Sequence, residues 1–93
     1  MAATFAIVFP EAGGAKVEAE QLAQVETQMK DDPVGWMMLG DRYYALDKFD
    51  ASARCYQRSL AISPCMEATR GLANSYYHNG KKELWQPTLE AYL

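Results

Sequence analysis

The alternation of apolar and polar positions divides most of the chain into short amphipathic helices. Apolar residues recur at spacings of three and four, which is typical of helices with one buried face. Turn-forming residues interrupt this pattern at Asp31-Asp32-Pro33, Asp47-Lys48, Ser63-Pro64 and Gly80-Lys81-Lys82. Proline disfavours helical geometry in the residue before it and is tolerated in a first helical turn. The sequence therefore predicts an all-α protein of about five helices, at 16–31, 34–46, 50–62, 66–79 and 83–93.

The predicted buried faces are mostly large and apolar. They carry Val17, Leu22, Val25 and Met29, then Trp36, Leu39 and Tyr43, then Ala53, Tyr56 and Leu60, then Leu72, Ala73 and Tyr76, and finally Leu84, Trp85, Leu89 and Tyr92. Gly40 shares the face of the second helix, where glycine costs about 1 kcal/mol relative to alanine, so we expect another helix to pack closely against it. We expect Asp50 to cap the third helix and Gly80 to take a left-handed conformation after the fourth.

An internal repeat relates the second helix to the fourth. The segment Leu39-Gly40-x-x-Tyr43-Tyr44 aligns with Leu72-Ala73-x-x-Tyr76-Tyr77 at a separation of 33 residues. Each unit comprises a helix, a short turn and another helix. A helix pair of this size cannot bury both of its apolar faces alone, so we expect the pairs to stack on one another.

The first unit resembles the tetratricopeptide repeat family. The family signature Trp-x-x-Leu-Gly-x-x-Tyr is met by Trp36, Leu39, Gly40 and Tyr43. Ser52, Tyr56 and Pro64 occupy the later small, aromatic and proline positions of the family. The resemblance implies a short right-handed solenoid of antiparallel helix pairs that acts as a protein-binding scaffold.

The second unit departs from that family pattern. Thr69 stands where the tryptophan is expected, Ala73 replaces the glycine, and Leu89 occupies the aromatic position. We therefore divide the helical domain, residues 16–93, into a leading helix at 16–31, a full repeat at 33–64 and a degenerate repeat at 66–93. The leading helix looks like the second helix of a preceding unit.

Residues 1–15 are expected to be a flexible or loosely packed leader. Their apolar run is far shorter than the roughly 20 residues that a membrane-spanning helix needs. Two alternatives stay open for this stretch. One is a secretory signal, which the lack of Lys or Arg before the run disfavours, and the other is a short extended segment at 4–9.

Size and charge indicate one small, soluble domain without an electrostatic attraction for nucleic acid or anionic membranes. The chain has 93 residues and a net charge of −3, from nine Lys+Arg and twelve Asp+Glu. We therefore expect neither a nucleic-acid nor a membrane partner. Cys55 lies on the third predicted helix and Cys65 lies just beyond its end. The rise of the helix between them makes a disulfide geometrically awkward. Free thiols favour a reducing compartment, so the expected location is cytoplasmic, with secretion as the alternative.

No group of residues has the composition or spacing of a catalytic or metal site. The chain has one histidine, His78, with no nucleophile motif or further metal donor near it in sequence. Gly13-Gly14 lacks the spacing of a phosphate-binding loop. We therefore expect no enzymatic activity, no metal and no cofactor.

The family resemblance implies a concave groove, lined by the first helix of each pair, that binds a peptide or protein. The candidate groove residues are Met37, Met38, Asp41 and Tyr44 on the second helix and Arg70, Asn74 and Tyr77 on the fourth. Arg70 and Asn74 imitate only the first pair of the family's carboxylate clamp. A competing explanation for Arg70 is a surface ion pair with Glu67. The preferred ligand is a mixed apolar and acidic peptide.

Two other functions stay open. Fewer than three repeats normally leave an apolar face uncovered, so Leu84, Leu89 and Tyr92 of the last helix are candidates for self-association. The chain is alternatively a fragment of a larger repeat protein whose catalytic part lies elsewhere.

Overall fold

The protein is all-α, as predicted. A computed structural model describes the backbone of residues 14–92 and the side chains of residues 18–92. Within that range the chain forms α1 (Gly14–Gln28), α2 (Pro33–Ala45), α3 (Phe49–Ile62), α4 (Met66–His78), a short 3-10 turn (Lys82–Leu84) and α5 (Trp85–Ala91). The predicted leader lies outside the described residues except for Gly14 and Ala15, which belong to α1.

The helix starts follow the internal repeat. Asp32 caps α2, and its carboxylate accepts a hydrogen bond from the backbone N–H of Val34 at 3.1 Å. Cys65 holds the equivalent place before α4, where its sulfur accepts from the N–H of Ala68 at 3.4 Å. A side-chain acceptor at the N-cap satisfies a backbone donor that has no partner within the helix. The two first helices of the repeat are therefore capped at matching positions.

The turns that follow α2 and α4 also match. Asp47 and Gly80 both have positive φ, at 58° and 79°. The next residue in each turn, Lys48 or Lys81, donates its backbone N–H to the carbonyl of Tyr43 or Tyr76 at 2.9 Å. The left-handed conformation predicted for Gly80 is confirmed. The backbone thus follows the same 33-residue repeat as the sequence.

The prediction that Asp50 caps α3 is wrong. The helix begins at Phe49, after Lys48, and has no side-chain cap. The tight left-handed turn at Asp47 uses so few residues that the helix starts earlier than the sequence pattern indicates. Asp50 instead accepts a hydrogen bond from the amide of Asn79 at 2.5 Å. This bond ties the first turn of α3 to the end of α4.

The last predicted helix is shorter than expected and is interrupted at its start. A 3-10 turn precedes α5, which is only seven residues long. Pro87 lies in the first turn of α5, where its missing N–H costs little. The prediction of a buried Trp85 is wrong, since 41% of this residue is exposed. Thr88 faces inward instead, and Leu89 is half-buried.

The core consists of two neighbouring clusters along the stack of helices. The first joins α1, α2 and α3 through Leu22, Trp36, Leu39, Tyr43 and Cys55. The second joins α3 and α4 through Ala53, Tyr56, Leu60, Ala68 and Leu72. Both cysteines are free thiols, as predicted. Each helix pair therefore buries its apolar faces against the next, which is the packing that a helical repeat requires.

Tyr56 is the side chain that fills the space between α2 and α4. A Cβ added to Gly40 would lie 2.8 Å from Cε1 of this ring, and one added to Gly71 would lie 2.6 Å from the same atom. These separations are too short for real carbon atoms. The expectation that a neighbouring helix packs closely against Gly40 is confirmed. Gly71 on α4 leaves space for the same Tyr56 ring from the opposite side.

Buried hydroxyl groups link α3 to α4. The Oγ atoms of Ser52 and Ser75 lie 2.7 Å apart in the core. Ser52 Oγ also lies 3.0 Å from the carbonyl of Phe49, and Ser75 Oγ lies 2.7 Å from that of Gly71. Each hydroxyl has one proton, so the pair can form two of these three bonds at a time. Both buried oxygens are thereby satisfied.

Candidate functional site

An open groove of about 300 Å³ lies where α2 and α4 run side by side. Its lining consists of Asp41, Tyr44, Tyr56, Glu67, Arg70, Gly71 and Asn74. The structure therefore brings together four of the seven groove residues predicted from sequence, namely Asp41, Tyr44, Arg70 and Asn74.

The other three predicted residues lie outside this lining. Met37 is half-buried and packs against the core cluster around Tyr56. Met38 is 41% exposed. Tyr77 is 44% exposed and contacts the ring of His78 edge-on at 5.6 Å. Met37 thus contributes mainly to packing, while Met38 and Tyr77 remain accessible beside the groove.

Tyr56 lines the groove although the sequence pattern assigned it to the core alone. Tyr56 is buried, yet its hydroxyl donates a hydrogen bond to Asp41 in the groove. Burial, followed by this bond to Asp41, raises the pKa of the Tyr56 phenol above its usual value, so the hydroxyl stays protonated. The sequence signal was a tyrosine at a position where the family has phenylalanine, since only tyrosine carries a polar end.

Arg70 projects into the groove without a carboxylate partner. Among residues 18–92 it forms no ion pair, so the competing explanation of a surface pair with Glu67 is not supported. Asn74, one helical turn further along, accepts a hydrogen bond through Oδ1 from the indole N–H of Trp85 at 3.3 Å. That bond orients the amide so that its NH₂ group remains available as a donor.

Aromatic rings pack against the groove residue Tyr44. Tyr44 meets Phe49 edge-on at 5.2 Å, and Phe49 stacks with His78 at 5.3 Å. Such pairs are worth about 0.5–1.5 kcal/mol beyond the area they bury. The histidine therefore has a packing role at the C-terminal ends of α2 and α4, and Tyr44 is held in place at the edge of the groove.

A second cleft, of about 460 Å³, lies on another side of the molecule, between α1 and α3. Its lining residues are Ala23, Glu26, Thr27, Trp36, Arg54 and Arg58. Glu26 accepts hydrogen bonds from the guanidinium of Arg54 at 2.7–3.0 Å and from the hydroxyl of Tyr43 at 3.0 Å. Burial, and then the bond to Glu26, raises the pKa of Tyr43, while Glu26 raises the pKa of Arg54. These bonds fasten α1 to the repeat.

In residues 14–92 no group of three or more His, Cys, Asp or Glu side chains is arranged to hold a metal ion. None of the helices in this range has both the length and the apolar character needed to cross a membrane.

Stacked helix pairs with a groove along their first helices define a helical repeat protein. Residues 33–64 match the sequence model of the Tetratricopeptide repeat family. This match confirms, for residues 33–64, the resemblance inferred from the sequence. No curated protein and no solved structure matches the chain. Tetratricopeptide repeats generally mediate protein–protein interactions.

Proposed function

We propose that the groove between α2 and α4 binds a peptide segment of another protein. The observation that carries this proposal is Arg70, a cation in the groove that has no carboxylate partner among residues 18–92. An unpaired guanidinium presents several in-plane donors to a ligand carboxylate or carbonyl. The role proposed is binding without catalysis.

The groove offers both polar and apolar contacts to such a peptide. Arg70 and Asn74 provide donors, whereas Asp41 and Glu67 provide acceptors. The ring of Tyr44 adds an apolar wall, and the exposed side chain of Met38 adapts readily to different ligand shapes. This combination supports an extended peptide that carries both an acidic and an apolar side chain.

A library of random peptides, displayed and selected against the wild-type protein, supplies ligands for the test. Each selected peptide is then titrated against wild type, Arg70→Gln and the control Lys81→Gln, which removes an exposed cation outside the groove. We expect Arg70→Gln to weaken binding about tenfold, since a charged hydrogen bond is lost. The control should bind as wild type does.

Peptides that bind Arg70→Gln as tightly as wild type would contradict the groove proposal. The indole N–H signal of Trp85 provides an independent check by NMR, because this N–H donates a hydrogen bond to the groove residue Asn74. A peptide in the groove should shift that signal.

Self-association through the last helix is a second candidate function, and one observation favours it. Leu84, Trp85 and Tyr92 are 37%, 41% and 40% exposed, so apolar surface is uncovered around α5. Sedimentation over a range of protein concentrations tests this candidate. Leu84→Glu with Tyr92→Glu should remove any association, whereas a wild-type protein that stays monomeric throughout would exclude it.

A further inference from the structure

We propose that the cleft between α1 and α3 is a second binding surface, which recognises an acidic peptide segment independently of the groove. This cleft is larger than the groove, at about 460 Å³ against 300 Å³. Ala23 and Thr27, one turn apart on α1, keep it open because their side chains are small. A partner side chain can therefore enter between the two helices.

The charges in the cleft are unequal. Glu26 is already paired with Arg54 through both of its carboxylate oxygens. Arg58, the second arginine in the lining, has no carboxylate partner among residues 18–92. The cleft therefore carries one uncompensated positive charge on a protein whose net charge is −3. A negatively charged side chain is the complementary occupant.

Arg58 is held in a position that favours such a contact. Its guanidinium carbon lies 4.9 Å from the centre of the Trp36 ring. The ring is itself fixed, because it is buried and its indole N–H donates to the carbonyl of Lys30 at 2.9 Å. Stacking uses the face of the guanidinium and leaves the N–H groups along its edge free to donate.

A carboxylate matches this geometry better than a phosphate-rich ligand does. An arginine edge binds a carboxylate through two parallel hydrogen bonds. Nucleic acid and polyphosphates need several cations together, whereas the net charge of this lining, with Arg54 neutralised by Glu26, comes from Arg58 alone. The stacking contact also lowers the cost of ordering the Arg58 side chain on binding. The occupant is therefore an Asp- or Glu-containing segment of a partner protein.

The two tryptophans allow the cleft and the groove to be observed separately. The indole N–H of Trp36 lies beside the cleft, and that of Trp85 is bonded to the groove residue Asn74. The full chain, labelled with ¹⁵N, is titrated with a short synthetic glutamate-rich peptide and with the matched glutamine peptide. A Trp85→Phe variant assigns the two indole signals.

We expect the glutamate peptide to shift the Trp36 signal and the glutamine peptide to leave it in place. Arg58→Gln should weaken the binding that this signal reports by about tenfold. Arg58→Lys should recover part of it, because charge is kept while the planar donor edge is lost. Arg70→Gln is the matched control, since it removes the groove arginine and should leave the Trp36 titration unchanged.

Any one of the following results would overturn the proposal. The first is a Trp36 signal that does not respond to the glutamate peptide. The second is an equal response to the glutamine peptide, or an Arg58→Gln protein that binds as wild type does. The third is a Trp36 signal that moves with protein concentration alone, which would make a second copy of the chain the occupant. A shift confined to Trp85 would reject the cleft and leave the groove proposal standing.

Discussion

The two helix pairs share one backbone plan but bury their side chains to different extents. The cap at Asp32 or Cys65 and the left-handed residue at Asp47 or Gly80 recur in both. The second helix of the first pair has 14 residues, however, whereas that of the second pair has seven. The two pairs therefore match in their first helix and turn but differ in their second helix.

The side chains differ because the two pairs have different neighbours. The first pair is covered by α1 on one side and by α4 on the other, and its aromatic residue Tyr56 is 2% exposed. Leu89 holds the corresponding position in the second pair and is only half-buried. Within the described residues no further helix packs beyond α5. The aromatic residue at this position, Tyr56, is the one that two first helices enclose.

The largest expected effect separates these two equivalent positions. Tyr56→Ala should lower the free energy of unfolding by about 3–5 kcal/mol, as for other buried aromatic residues. Leu89→Ala should cost about 1–2 kcal/mol, because less apolar area is removed from the core. Urea denaturation followed by circular dichroism measures both.

If Tyr56→Ala fails to fold, Tyr56→Phe keeps the ring and removes only the hydrogen bond to Asp41, for an expected loss of about 1 kcal/mol. Equal losses for Tyr56→Ala and Leu89→Ala would contradict the comparison between the two repeats.

The next effect concerns the glycines on either side of the Tyr56 ring. Alanine normally stabilises a helix by about 1 kcal/mol relative to glycine. At Gly71 we expect a net loss of about 1–2 kcal/mol instead, because the new methyl group would overlap the ring. Gly40→Ala should cost less, since its contacts with the ring are longer.

Combining Gly71→Ala with Tyr56→Leu tests whether the ring is the cause. In that background the alanine should become neutral or stabilising. A penalty that persists in full without the ring would show that Gly71 serves another purpose.

A smaller effect is expected at the two left-handed turns. A non-glycine residue pays about 1 kcal/mol or more in this conformation, although aspartate tolerates it better than most. Asp47→Gly should therefore stabilise the protein by about 0.5 kcal/mol, and Gly80→Asp should destabilise it by about 1 kcal/mol. Thermal unfolding of the two single variants, and of the variant that combines both substitutions, shows whether each change raises or lowers the stability. Shifts in the same direction for both substitutions would refute the equivalence of the turns.

The two thiols are expected to differ in reactivity. Burial raises the pKa of the Cys55 thiol to about 12, and nearby Glu26 adds to the shift. Cys65, at the start of the second pair, is half-buried. Iodoacetamide at mildly alkaline pH should therefore alkylate Cys65 about tenfold faster or more, as mass spectrometry can resolve.

The same pKa shift gives a pH dependence with a definite sign. The unfolded chain loses the Cys55 proton at its ordinary pKa of 9.0, whereas the folded chain keeps it until about 12. The contribution of Cys55 is therefore fully present below pH 9 and is lost as the pH rises toward 12. Cys55→Ala should flatten this part of the stability profile.

The local features of the fold were readable from the sequence. Prolines, Gly80 and the apolar spacing located the helices, and Gly40 correctly indicated a close approach. Asp50 is a good capping residue, but it lies two positions after the actual N-cap, Lys48, because the turn before α3 needs fewer residues than the pattern indicates. Trp85 was assigned to the core by periodicity alone. Periodicity identifies one face of a helix, whereas burial depends on whether another element covers that face.

The candidate sites were less readable, because each depends on residues from different helices. Asp41, Tyr44, Arg70 and Asn74 could be named from their positions on two first helices. The entry of the Tyr56 hydroxyl into the groove required the packing of three helices. The α1–α3 cleft was not predicted at all, since Arg58 and Glu26 come together only through the docking of α1.

The position of Tyr56 also has a geometric consequence for the solenoid. The ring lies between Gly40 and Gly71, so its thickness sets the separation of two successive first helices. In a repeat protein, that separation and the rotation between units determine the curvature of the array. A substitution at Tyr56 would thus change the superhelical pitch and the width of the groove between α2 and α4, even if every other residue lining that groove stayed the same.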